Sequence, residues 1–336
     1  MKLAVFAFTR RGCDTARKAI AALSPGECRK FAPAKFGQGD FEEYVPPLAD
    51  FSAPLFSWAD VLLFLGSTGM AVRAIAPWVK DKKTDPAVVV MDEGAHFVIS
   101  LLSGHIGGAN RLTGMLASAL GAVPVITTAT DTRGRFSVDE WAVRNGLTID
   151  DMTAAKAVSA AILEGEVPLL CDYPIASALP QGVVPGERGS VGIYIGWRNV
   201  APFATTLRLI PKVLNLGIGC RRGISEERIE AAVQAVLGPI PLEAVAKVVS
   251  IDLKREEPGL LGFCARRKLP AVFYSAEELN RVPGDFPASE RVKAVTGVDN
   301  VCQRAAMLDG KNCVIEKTAL DGVTVALAEL EWEAVF

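Results

Sequence analysis

The sequence predicts an α/β protein: two three-layer α/β domains with open, mostly parallel or mixed sheets, joined by a small middle α+β module. Three observations predict it. Strand-sized apolar runs alternate with helical periods over residues 1–131, the alternation weakens over 132–211, and it resumes over 212–336.

In the first segment, residues 3–8, 61–65, 87–91, 97–101 and 123–127 are short β-rich runs, and 14–23, 70–79 and 107–120 carry helical periods. Between two of the strands lies Asp92-Glu93-Gly94-Ala95, turn chemistry that predicts a β-hairpin and so a mixed sheet. In the middle segment Pro174, Pro180 and Pro185, with Gly182, Gly186, Gly189 and Gly192, punctuate short strands such as 191–195. The last segment reads as strands 213–216, 248–253 and 271–274 alternating with helices 225–237, 258–267, 276–280 and 301–308. It closes on apolar runs at 313–316 and 323–330.

A chain of 336 residues that is 50% hydrophobic and 22% charged has apolar material for more than one core. Its apolar runs stay far short of the roughly 20 residues that span a bilayer. The opening M-K-L-A-V-F-A-F-T reaches Arg10 and Arg11 too early for a signal peptide, so it reads as a first strand. A cytoplasmic protein with no membrane partner is expected. The seven cysteines are scattered and form no C-x-x-C pair, which predicts reduced thiols and no zinc or redox centre. With 36 basic against 38 acidic residues there is no global field for nucleic acid, and an anionic ligand must be held by local basic clusters.

Three glycine-rich junctions carry the candidate chemistry. Gly66-Ser67-Thr68-Gly69 follows an apolar strand and precedes a helix, an arrangement that turns backbone N–H groups and hydroxyls towards an anion. A tight connection needing two glycines gives the same pattern, and no Walker lysine follows. The second junction, Leu101 to Asn110, contains Ser103, Gly104, His105, Gly107 and Gly108. Glycine is costly at a helix start unless the backbone must bend or be approached closely, and a helix N-terminus favours the neutral imidazole that a general base requires. A capping or core histidine is the alternative. His96 reads as a side chain on a solvated hairpin edge. A metal set of His96, His105, Asp92 and Glu93 lacks any known ligand frame, so no metal site is expected. The third junction, Gly217-Ile218-Gly219-Cys220-Arg221-Arg222-Gly223, joins a strand to a helix opened by Ser225. Its adjacent guanidinium groups suit carboxylate or phosphate, while its glycine spacing does not match a dinucleotide fingerprint. Charged turns at 80–85, 127–131 and 252–258 add Lys83, Thr128, Asp131 and Lys254 as candidates, each also readable as a solvated surface turn.

Taken together, these strings resemble the cobalt-precorrin 5A hydrolase family, known as the CbiG family, over nearly the whole chain. In the first segment the resemblance is carried by G-S-T-G-M-A-V-R-A-I-A-P from Gly66, K-D-K-K-T-D-P-A-V-V-V-M-D from Lys80, F-V-I-S-L-L-S-G-H-I-G-G-A-N from Phe97 and P-V-I-T-T-A-T-D from Pro124. In the last it is carried by G-I-G-C-R-R-G from Gly217, S-I-D-L-K from Ser250, E-P-G-L from Glu257, Y-S-A-E-E-L from Tyr274 and V-T-G-V-D-N-V-C from Val295. The last segment also looks like a domain found as a separate protein in aerobic cobalamin synthesis.

The resemblance implies a hydrolase of anaerobic cobalamin biosynthesis acting on a cobalt-bearing, multiply carboxylated macrocycle. The δ-lactone opens and acetaldehyde leaves, giving cobalt-precorrin 5B. Cobalt belongs to the substrate, so no cofactor and no protein metal site are implied, and transient hand-over from neighbouring pathway enzymes is allowed. As a hypothesis, His105 activates water, Ser103 and the N–H groups near Gly107 and Gly108 stabilise the oxyanion, and Asp92 or Asp131 shares the proton transfers. Substrate binding is assigned to Gly66, Ser67, Thr68, Gly69, Arg73, Lys83, Gly104, Gly107, Gly108, Asn110 and Thr128 in the first segment, and to Gly217, Gly219, Cys220, Arg221, Arg222 and Lys254 in the last. Two rivals stand beside this reading: a non-catalytic corrinoid carrier, and a nucleotide-dependent enzyme suggested by the glycine-rich turns.

Overall fold

In the computed structural model, residues 1–37, 39–81, 84–128 and 134–336 are described. They form two compact units, Met1–Val143 and Arg144–Phe336.

The first unit is built on strands β1 (Lys2–Ala7), β2 (Glu27–Ala32), β3 (Glu42–Glu43), β4 (Val61–Leu65), β5 (Ala87–Met91), β6 (Phe97–Leu102) and β7 (Val123–Val125), in the order β3-β2-β1-β4-β5-β6-β7. Its helices are α1 (Arg10–Leu23), α2 (Leu48–Trp58), α3 (Thr68–Ile75), α4 (Ala109–Leu120) and α5 (Val138–Arg144), the last reaching the unit boundary. The central strands β4 and β5 are apolar at every position because both faces are covered. Alternate residues explain how. Val5, Leu63, Leu65, Val89 and Met91 pack against α1 and α4, while Phe6, Leu62, Phe64, Val88 and Val90 pack against α2 and α3.

The strand directions decide where the motifs fall. β1, β4 and β5 run parallel, and β5 turns back into β6 through the predicted hairpin, pairing Val90 with Ile99 and Met91 with Val98. Residue 66 therefore leaves the carboxyl edge of the parallel strands, whereas Ser103 leaves β6 at the opposite edge, where β5 begins. β7 runs parallel to β6 and ends at that second edge too. The two edges are separated by the five residues of β5, roughly 16 Å.

The second unit contains two sheets. The first has β8 (Thr148–Ile149), β9 (Val167–Cys171), β10 (Val183–Pro185), β11 (Val191–Ile195) and β12 (Thr205–Ile210), ordered β10-β9-β11-β12-β8, with α6 (Met152–Glu164) begun by an Asp151 cap. Only the β12–β8 pair of this sheet is antiparallel. The other sheet has β13 (Leu214–Cys220), β14 (Val245–Ile251), β15 (Ala271–Tyr274), β16 (Asn312–Leu320) and β17 (Val323–Glu329), ordered β15-β14-β13-β17-β16. Helices α7 (Glu226–Leu237) and α8 (Pro258–Arg267) cover one face of it; α9 (Ala276–Asn280) and α11 (Val301–Met307) cover the other, and α10 (Glu290–Thr296) lies between α9 and α11 in the chain. β13 to β15 are parallel, and β16 and β17 form a hairpin through Asp321 and Gly322. Both turn residues have positive φ, 47° and 86°, the backbone that a two-residue hairpin twist demands and that Asp-Gly supplies.

This is the α/β architecture that the sequence predicts, with mixed first and last sheets and a smaller middle sheet. Several element bounds shift, two of them for evident local reasons. α3 stops at Ile75 because Pro77 cannot continue it, and α4 starts at Ala109, after Gly108 has taken a left-handed conformation at φ 83°.

Candidate functional site

The loop after β6 is shaped by its own packing. Ser103 sits at φ 55°, uncommon for a residue with a Cβ, and its hydroxyl donates to the Asp85 carbonyl at 3.0 Å. A Cβ on Gly104 would lie 2.7 Å from Asn110 Oδ1, and one on Gly107 would lie 2.4 Å from Ser103 Cβ, so both glycines are required for close approach. The Gly108 N–H donates to the His105 carbonyl and the Ala109 N–H to that of Ser103. The oxyanion role expected of Ser103 and Gly108 is therefore not what their geometry offers: those donors close the loop. Buried Asn110 accepts from the Ser100 hydroxyl at 2.7 Å and donates to Thr128 Oγ1 at 3.0 Å, tying β6, α4 and the segment after β7 together.

What this loop presents is His105. Its Nδ1 lies 3.4 Å from Oδ1 of Asp139, in the first turn of α5. Asp139 is only 7% exposed and also accepts from the Ser137 hydroxyl and the Glu140 N–H, each at 3.0 Å. Burial pushes its carboxyl up, but the hydrogen bond and charge of His105, with the Ser137 and Glu140 donors, hold it below its ordinary value. A carboxylate on Nδ1 fixes the ring and its tautomer and makes Nε2 the basic nitrogen, the arrangement of an oriented general base. The sequence reading missed Asp139. Its one signal, Ser137-Val138-Asp139-Glu140, reads as a helix start, and the fold alone sets it against residue 105.

The start of the Lys80 turn lies at this edge too. Asp85 is buried and accepts the Lys80 and Asp81 N–H groups at 2.8 and 3.0 Å, which folds the Lys80 turn in front of β5. Lys83 and Asp131 lie outside the described residues.

The opposite edge holds a second group. The Gly66 N–H donates to the Met91 carbonyl, and exposed Ser67 begins α3 without a side-chain cap. Thr68, Gly69 and exposed Arg73 follow on α3. This turn stands at the carboxyl end of β4 beside β1, where the strand order reverses, the usual ligand edge of an open α/β sheet. Thr9, which the sequence reading passed over, caps α1 there: it accepts the Gly12 N–H and donates to Glu93. Asp92 accepts the N–H groups of Gly94, His96 and Phe97 and also bonds His96 Nδ1 at 2.9 Å. Against its partial burial, those bonds draw its carboxyl below the ordinary value. The expected catalytic share of Asp92 is thus corrected: it builds the hairpin, a strand length away from His105.

In the second unit a cavity of about 490 Å³ opens at the carboxyl edge of β13 and β14. Arg221 and Arg222 line it, as does Lys254 from the short 3₁₀ turn Asp252–Lys254. Lys254 pairs at 2.9 Å with Glu257, which also accepts the Gly223 N–H at 2.7 Å, so this lysine braces the arginine turn. Burial opposes ionisation of Glu257, yet Lys254, the Gly223 N–H and the Arg222 charge hold its carboxyl below the ordinary value. Cys220 lines the cavity as a thiol, pushed up to about 11 by burial although Lys254 opposes the shift. A Cβ on Gly219 would crowd Thr324 Oγ1 at 2.5 Å. Gly217 is buried behind the wall, where a Cβ would fall 1.9 Å from the Cys302 carbonyl oxygen, so it serves the packing of α11 on β13 and not a ligand. Two further cations on the wall, Arg291 and Lys317, lie outside the motifs picked from sequence.

Among the described residues no group of three or more His, Cys, Asp or Glu is placed to hold a metal ion, and no helix is long and apolar enough to cross a membrane.

Comparison with known proteins covers both units. Residues 50–131 match the family described as Cobalamin synthesis G N-terminal, and residues 214–328 match Cobalamin synthesis G C-terminus. The chain is 34% identical to the cobalt-precorrin-5A hydrolase of Salmonella typhimurium, covering 97% of each chain. It is 32% identical to the enzyme of that name from Priestia megaterium, covering 98% of this chain and 95% of that one. A 33% identical match to protein CobE of Sinorhizobium sp covers 34% of this chain and 79% of that protein.

Proposed function

The chain belongs to the cobalt-precorrin-5A hydrolase family, and from that premise we propose that it opens the δ-lactone of cobalt-precorrin 5A and releases acetaldehyde in anaerobic cobalamin biosynthesis. It is a hydrolase on this reading, and the hydrolase names of relatives aligned over nearly the full chain weigh against a corrinoid carrier without activity.

The single observation that supports the chemistry best is the His105–Asp139 pair. Nε2 of His105 takes a proton from water as its oxygen adds to the lactone carbonyl. Collapse of the tetrahedral intermediate breaks the acyl C–O bond, leaving a carboxylic acid and an alcohol on the former meso carbon. Deprotonation of that alcohol forms the carbonyl of acetaldehyde as the C–C bond breaks. The electron pair enters the conjugated macrocycle, which takes up a proton. Asp139 balances the imidazolium formed in each transfer and keeps the ring aimed. Arg221 and Arg222 supply recognition of the substrate carboxylates. Cobalt arrives in the substrate, so this scheme calls for no cofactor resident in the protein, and it suits a cytoplasmic enzyme that receives its substrate by transient hand-over.

The test is anaerobic incubation with cobalt-precorrin 5A, following acetaldehyde through a coupled dehydrogenase and the macrocycle through its visible spectrum. Stoichiometric acetaldehyde with a matching spectral change is expected. Folded protein that gives neither signal overturns the proposal.

A further inference from the structure

The charge of the second-unit cavity exceeds what the arginine motif accounts for. Five basic side chains line it, Arg221, Arg222, Lys254, Arg291 and Lys317, against one carboxylate, Asp321. Lys254 is matched by Glu257. Among the described residues Arg221, Arg222 and Arg291 make no ion pair within 4 Å, and Lys317 Nζ reaches only the Pro287 carbonyl, at 3.3 Å. Gathering like charges around a concavity disfavours the empty state and favours an anion there.

The apolar part of the wall is equally specific. α10 buries none of its residues, and Val295 is 75% exposed. Yet α10 is a firmly terminated element. Ser289 caps it by accepting the Val292 N–H, Gly297 ends it at φ 75°, and the Thr296 hydroxyl is bonded to the carbonyls of Val292 and Val298. Its Val292 and Val295 line the cavity, as do Ala319 and Leu320 at the end of β16. A helix held at both ends, whose Val292 packs partly on the core beneath while Val295 stands exposed on a cationic cavity, is suited to a ligand that is itself broad, apolar and rimmed with anions.

We propose that this cavity is a clamp for the rim of a polycarboxylated macrocycle, with Arg291 and Lys317 as carboxylate-binding, specificity-determining residues and α10 as the apolar jaw. The assignment deepens the hydrolase reading and rests on it for the identity of the macrocycle. Arg221 and Arg222 grip from the end of β13, Arg291 from the first turn of α10 and Lys317 from β16. Carboxylates are thereby held from three elements, and Val292, Val295 and Leu320 meet the uncharged surface between them. Among the described residues the cavity wall includes no aromatic ring on which a nucleobase would stack, which disfavours a nucleotide as occupant.

The experiment titrates the full-length protein with cobyrinic acid, a cobalt corrinoid with free carboxylates, and with its fully methyl-esterified form, reading the corrinoid spectrum and tryptophan fluorescence. The free acid binds and the ester binds at least about tenfold more weakly, since each charge-assisted hydrogen bond lost costs roughly tenfold. R291A/K317A loses about 10- to 100-fold in affinity for the acid. V295N, at an exposed position where folding is not at risk, removes apolar contact without adding charge and weakens the acid and the ester alike. H105A binds as the wild type does. Equal binding of acid and ester, or wild-type affinity in R291A/K317A, overturns the clamp. Binding is judged separately from turnover. A wild type that releases acetaldehyde while R291A/K317A keeps its KM sinks the clamp alone. A wild type that binds the acid selectively but releases no acetaldehyde sinks the hydrolase reading and leaves the carboxylate clamp standing.

Discussion

The loops at 101–110 and 216–223 share one sequence pattern, a strand running through glycines into a helix, and put it to different use. The second follows β13, a strand parallel to its neighbour β14, so it emerges at the carboxyl edge of the sheet, where two arginines meet a cavity. The first follows β6, antiparallel to β5, and emerges at the reverse edge, where its glycines admit Asn110 and Ser103 and its N–H groups close on the loop itself. The functional content of the first loop is one imidazole and the buried carboxylate beside it; that of the second is a field of cations. Glycine count announces a tight backbone in both. What the backbone then serves depends on strand direction and on residues far off in sequence.

The sharpest way to break this contrast is to remove the carboxylate while keeping its shape. Asp139→Asn should lower kcat by about 10²- to 10⁴-fold with corrinoid binding unchanged, because the imidazolium loses its counter-charge and the ring its orientation. Asp139→Glu should restore part of the rate. A D139N enzyme with normal kcat would reduce the pair to a structural contact and remove the contrast.

A smaller effect is expected from the cation field. R221A/R222A should raise KM about tenfold or more with little change in kcat, since carboxylate recognition acts on ground and transition states alike. A large fall in kcat at saturating substrate would place the reacting lactone beside these arginines. Gly217→Ala tests the packing reading of the same motif. It should destabilise the protein by about 1–3 kcal/mol or more, measured by denaturant titration, because its Cβ meets the Cys302 carbonyl. Unchanged stability with impaired binding would return Gly217 to the ligand site.

The smallest effect concerns pH. The Asp139 carboxyl is held below its ordinary value of 3.8 in the folded state, so its contribution is fully present above that value and is lost as pH falls through the lower folded one. The stability difference between wild type and D139N should therefore shrink as pH falls from 4 into strong acid. A difference that does not shrink in strong acid would mean the carboxylate is not held below its ordinary value in the folded protein.

Legibility in the sequence followed the range of the interactions. The hairpin at Asp92, the strand cores of β1, β4 and β5 and the arginine turn are local or periodic, and all three were readable. α2 was not, because Pro47 at its cap and Pro54 within it look like interruptions of a helical pattern. β2, with Cys28, Arg29 and Lys30 largely outside the core, lacks the apolar run of the central strands. The catalytic reading of Asp92 failed because a carboxylate in a turn looks the same whether it serves chemistry or the turn's own N–H groups. Asp139 and Arg291 were hidden for the converse reason: each sits at an ordinary charged helix start, and only tertiary structure brings Asp139 to His105 and Arg291 to the cavity wall.

The proposed chemistry requires His105 as the base. Single-turnover assay of H105A with cobalt-precorrin 5A, with circular dichroism and cobyrinic acid binding measured on the same preparation, tests it directly. The expected variant is folded, binds cobyrinic acid normally and releases acetaldehyde about 10²- to 10⁴-fold more slowly than the wild type. Near-normal release from that variant would contradict that requirement and leave the histidine a structural member of its loop.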